Sequence, residues 1–61
     1  MRLIPISEVV NLTSLGRSTI YRYIKDKRFP KQVNLGIKNS AWVEAEIFEW
    51  IEERVRARDE G

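Results

Sequence analysis

The side chains best equipped for chemistry lie between Arg17 and Lys38. Seven cations stand there (Arg17, Arg22, Lys25, Lys27, Arg28, Lys31 and Lys38) against Asp26 alone, a local balance of +6. Guanidinium groups make paired contacts to guanine edges or to phosphate, ammonium groups bind phosphate as point charges, and the hydroxyls of Ser18 and Thr19 serve base edges or backbone. The chemistry on offer is therefore recognition of a polyanion. Covalent chemistry has little to draw on. The chain has neither histidine nor cysteine, which removes the commonest general base, the thiolate nucleophile and the usual zinc and copper ligands. A Ser, Lys or carboxylate nucleophile would need a pocket that so short a chain can hardly form. The expectation is a chain without catalytic residues, cofactor or metal.

The basic stretch is set between contrasting neighbours. Residues 1–16 carry Arg2 and Glu8, which cancel, whereas from Asn39 onward seven acids face three arginines, a balance of −4. The net charge of +2 hides this separation, which suggests one face aimed at a polyanion and another turned from it. With 61 residues, the chain makes one domain over 1–61. Its apolar share of 43% and charged share of 33% are those of a globular protein. The apolar runs are too short for a membrane span or a signal peptide, so a cytoplasmic location is expected.

Particular elements must position the cations. Arg2-Leu3-Ile4-Pro5 is short and extended, because proline restricts the residue before it. Ser7 is placed to cap a short helix bearing Val9, Val10 and Thr13 on one side, with Glu8 near the positive end of its dipole. Ser14-Leu15-Gly16 breaks that helix, and a second runs from Arg17 to Asp26 or Lys27, ended by Phe29-Pro30. Residues 31–35 alternate polar and apolar as a half-buried strand does, Gly36 to Asn39 supply a turn, and 40–43 return. The last helix, 44–58, carries an apolar stripe of Val43, Ile47, Trp50, Ile51 and Val55. Its acids open it, its arginines close it, and Glu52 and Arg56 pair four residues apart. Two short helices joined by a tight turn and followed by a hairpin make a mainly α fold, a winged helix-turn-helix.

At 100° per residue, Ile20 and Ile24 form the inward ridge of the second helix. Tyr21 and Tyr23 fall to either side of it, one of them expected to pack in the core. Arg22, Ser18 and Lys25 point the opposite way, flanked by Thr19 and Asp26. Arg17 suits a phosphate beside the helix N-terminus. Lys27, Arg28 and Lys31 flank the helix as phosphate contacts, and Lys38 with Asn39 forms a basic hairpin tip.

At these residues the chain resembles the AlpA family of small prophage regulators, whose domains are similar to the DNA-binding part of MerR-type proteins. The resemblance covers nearly the whole chain. It lies in Arg2-Leu3-Ile4, in Leu15-Gly16-Arg17-Ser18-Thr19-Ile20-Tyr21-Arg22, in Phe29-Pro30-Lys31, in Leu35-Gly36, and in Trp42 with Glu46-Ile47-Phe48-Glu49-Trp50-Ile51. The resemblance implies a winged helix-turn-helix that binds promoter or attachment-site DNA. Arg17, Ser18, Thr19, Tyr21 and Arg22 would then form the reading helix and Lys38 the basic wing position. Two departures stand out: Ser14 and Gly16 occupy places where the family often has Gly and then Ser, and Ile37 replaces a commoner Pro in the wing.

The leading expectation is a sequence-specific double-stranded DNA-binding regulator that reads the major groove with helix 17–26. Its partners would be DNA, further copies of itself on repeated half-sites, and an integrase or RNA polymerase. One alternative is an excisionase that bends attachment-site DNA. Another, of a different class, is a protein-interaction adaptor that uses the Trp50 helix and would expose an apolar patch.

Overall fold

The computed structural model describes all 61 residues. In chain order they form β1 (Leu3–Ile4), α1 (Ile6–Thr13), α2 (Arg17–Lys25), β2 (Val33–Gly36), β3 (Asn39–Val43) and α3 (Glu44–Glu60). The strands make one antiparallel sheet in the order β1-β3-β2. Three helices beside a hairpin sheet give the mainly α winged helix-turn-helix architecture.

The first segment does more than lead into a helix. Leu3 pairs with Val43 and Ile4 with Trp42, so residues 3–4 form a sheet edge. The Glu44 N–H donates to the Arg2 carbonyl at 2.9 Å, and the Arg2 guanidinium meets the Glu44 carboxylate at 3.2 Å. This pairing moves the start of α1 forward. Pro5, extended at φ −77° and ψ 169°, is the cap, and no side chain caps the helix. The N–H groups of Glu8 and Val9 donate to the Pro5 carbonyl. Ser7 therefore lies within the first turn instead of capping it.

At the other end of α1, Ser14 adopts the left-handed conformation, φ 61° and ψ 16°, and its N–H donates to the Val10 carbonyl. Thr13 braces the turn: its hydroxyl donates to the Val9 carbonyl and accepts from the Leu15 N–H. Gly16 then caps α2 with no side-chain oxygen to offer.

The hairpin is shorter and more exposed than the 31–35 alternation suggests. β2 begins at Val33, its turn is Ile37-Lys38 with Lys38 at φ 58°, and Gly36 pairs with Asn39 across a register irregularity after Asn34. Val33 and Leu35 are 38% and 50% exposed. β2 is an edge strand, and no helix covers its outer side, so alternation there does not bury a face.

The core takes one residue from every element except β2, and one from the loop after α2: Ile4 of β1, Val9 of α1, Ile20 of α2, Phe29 of the loop, Trp42 of β3 and Ile47 of α3. Ile24, Tyr23, Leu15, Trp50 and Ile51 pack around them, partly buried. Only the first two turns of α3 join this core. Val55, expected in the inward stripe, is 42% exposed, and every residue from Glu52 onward is exposed. No helix is long and apolar enough to cross a membrane.

Candidate nucleic-acid interface

α2 sits in the fold by the ridge expected of it. Ile20 is fully buried and Ile24 half-buried. That anchoring turns Arg17, Ser18, Arg22 and Lys25 outward, and all four are exposed, with Thr19 half-buried beside them. The two tyrosines part company. Tyr23 packs against the core, whereas Tyr21 is 46% exposed, its ring tilted against Trp42 at 6.2 Å between centroids.

The cations of the 17–38 stretch are unpaired. The three ion pairs of the molecule are Arg2–Glu44, Arg56–Glu52 and Arg58–Asp59, and none uses a cation from that stretch. Arg22 instead lies over the Tyr23 ring, 5.8 Å from its centroid, and Arg28 lies 5.5 Å from the same centroid. A Tyr23 ring shared by two guanidinium groups orients both without neutralising either. The place of Tyr23 beside the Ile20–Ile24 ridge does not by itself reveal this role; its position one residue after Arg22 and five before Arg28 is the signal the sequence holds.

Behind α2 the chain turns through Lys27 in the left-handed region, φ 60°. The two tryptophans then hold the next three residues. The Trp50 indole N–H donates to the Arg28 carbonyl at 2.8 Å, and the Trp42 indole N–H donates to the Pro30 carbonyl at 3.1 Å. Phe29 lies between these anchors, edge-on to Trp50 at 4.8 Å. An indole that enters a core needs an acceptor for its N–H, and here both find one on the loop carrying Lys27, Arg28 and Lys31. The tryptophans thus position cations as well as fill space.

The site residues fall into three groups. Arg17, Ser18, Thr19, Arg22 and Lys25 share α2, with Tyr21 on its flank toward the sheet. Lys27, Arg28 and Lys31 line one side of a broad open groove of about 890 Å³ whose opposite side carries Glu46, Glu49 and Glu53. The acidic helix therefore lies closer to these flanking cations than charge segregation along the chain implied. Lys38 and Asn39 form a third group at the exposed hairpin tip. Ile37 beside them is almost wholly exposed. No group of three or more acidic side chains is arranged to hold a metal ion.

Residues 2–55 match the family model for the prophage CP4-57 regulatory protein, AlpA. The chain belongs to the AlpA family. It is 43% identical over 60 residues to the uncharacterized protein ORF88 of Enterobacteria phage P4, an alignment that takes in 98% of this chain and 68% of that one. It is also 36% identical over 62 residues to the DNA-binding transcriptional activator AlpA of Escherichia coli K12, covering 92% of this chain and 89% of that protein. The matched span runs through every element except the end of α3. The match of this AlpA-family chain thus takes in the whole helix-turn-helix and the hairpin.

Proposed function

We propose that this AlpA-family protein is a prophage-type transcriptional regulator that binds double-stranded DNA sequence-specifically, with α2 lying in the major groove. The observation that carries the reading is the free basic face. Arg17, Arg22 and Lys25 extend from a helix anchored by Ile20, and no carboxylate pairs with any of them although the chain holds nine acids. A carboxylate already paired with one of these cations would compete with phosphate for it. Leaving the cations unpaired costs nothing once phosphate supplies the counter-charge. The E. coli relative, a DNA-binding transcriptional activator by name, supports the same reading.

In this arrangement Arg22, with Ser18 beside it, reads base edges, and Arg17 meets a phosphate at the helix start. Lys27, Arg28, Lys31 and Lys38 add backbone contacts that strengthen binding without specifying sequence. One small domain offers a short footprint, so occupancy of repeated half-sites follows naturally. Selection of bound duplexes from a random pool, followed by anisotropy titration at several salt concentrations, tests the proposal. Enrichment of a common motif with affinity falling steeply in salt is expected. Recovery of an unenriched pool would refute sequence-specific reading.

A further inference from the structure

The domain has more surface than its size calls for. A monomer of 7.2 kDa is expected to expose about 4,100 Å², whereas this chain exposes 4744 Å². Its radius of gyration, 11.9 Å, exceeds the roughly 10.5 Å of a compact chain this long. The excess lies along one direction, since the molecule measures 41 × 24 × 19 Å. That direction is set by α3, whose second half stands clear of the core, exposed at every residue from Glu52.

The projecting helix is not uniformly polar. Taking Ile47 as the inward direction, Ile51 lies about 40° round the helix, Val55 about 80° and Phe48 about 100°. Phe48 and Val55 are 44% and 42% exposed. Ile51 and Val55 also border a shallow, mainly apolar groove of about 340 Å³ shared with Leu12 of α1. Phe48, Ile51 and Val55 recur at intervals of three and four, the spacing of a seam between two helices.

We propose that this seam pairs two copies of the chain, with their α3 helices side by side and parallel. Charge favours that occupant, and a seam of three apolar residues, Phe48, Ile51 and Val55, is small enough to give a weak, reversible dimer. One flank of the seam carries Arg54 and Arg58, at about −20° and 20°, and the other carries Glu52 and Asp59, at about 140° and 120°. In a parallel pair the basic flank of each helix meets the acidic flank of its partner, whereas an antiparallel pair sets like charges together. The existing Glu52–Arg56 and Arg58–Asp59 pairs are exposed surface contacts, weak enough to exchange for partners across the seam. Parallel pairing also leaves both helix-turn-helix units at the same end of the dimer.

The inference does not depend on DNA binding, and it is tested without DNA. Sedimentation equilibrium of the 61-residue chain, over a series reaching millimolar concentration, is expected to show a monomer–dimer equilibrium. Val55→Glu and Phe48→Glu should each weaken association at least tenfold, with the dilute monomer still folded by circular dichroism although less stable, since each side chain is partly buried in the monomer. Arg54→Glu should weaken it too, and Asp59→Arg added to Arg54→Glu should restore it. A wild-type chain that stays monomeric overturns the proposal, as does a dimer indifferent to both seam substitutions. Failure of the charge-swap pair to recover association would overturn the parallel orientation.

Discussion

The turn between α1 and α2 holds two residues in each other's better place. Ser14 sits at φ 61°, where an L side chain crowds its own backbone, and no hydrogen bond from its hydroxyl repays the strain. Gly16 sits at φ −71° and ψ 158°, which any residue adopts, at a helix N-cap that lacks a side-chain acceptor. A Cβ built on Gly16 meets nothing within 4 Å. Ser14→Gly should relieve about 1 kcal/mol of left-handed strain, and Gly16→Ser should add a few tenths through capping and reduced unfolded-state freedom. The double variant should therefore gain about 1–1.5 kcal/mol, which in a domain of this size raises the melting temperature by roughly 4–12 °C. Thermal unfolding followed by circular dichroism measures it. A double variant that melts at or below the wild-type temperature would refute the turn geometry and the reasoning built on it. The exchange restores the Gly-then-Ser order common in the family that the sequence resembles, so its gain would also mark the wild-type order as a local cost.

Three other outcomes follow from the packing and the charges. Ile20→Ala empties the inward face of α2 and should cost about 2–5 kcal/mol by chemical denaturation, with Ile24→Ala costing clearly less because Ile24 is only half-buried. Trp42→Phe should destabilise more than Trp50→Phe in the same assay: Trp42 is 1% exposed and its loss leaves the Pro30 carbonyl partly buried without a donor, whereas water can reach the Arg28 carbonyl. Lys31→Ala should weaken duplex binding evenly across sequences and lower the logarithmic salt slope by about 0.9, as titration at several salt concentrations would reveal.

Much of the fold was legible because its signals are local. The breaker at Ser14-Leu15-Gly16 and the Ile20–Ile24 ridge act through nearest neighbours and the helical period, and each lies where the sequence implied; α2 ends earlier than expected, at Lys25, because the turn through left-handed Lys27 closes it before Phe29-Pro30 is reached. The failures involve partners far along the chain. Leu3-Ile4 becomes a strand only because Trp42 and Val43 stand opposite it, and this pairing moves the cap of α1 from Ser7 to Pro5. Val33 and Leu35 alternate correctly yet stay exposed, since alternation records two faces and not whether anything covers either. Val55 keeps the period of the α3 stripe after the core has ended. For the interface, the outward set on α2 could be read from angles alone. The Trp42 and Trp50 anchors could not, because each bonds a carbonyl more than ten residues away.

The most direct test sets Arg22→Ala against wild type on a selected duplex and on random duplex, at two salt concentrations. Arg22 is exposed and outside every ion pair, so the variant should keep its fold and still bind random DNA, while its preference for the selected site falls by about 1–3 kcal/mol. If the variant keeps the full preference, α2 does not read the bases.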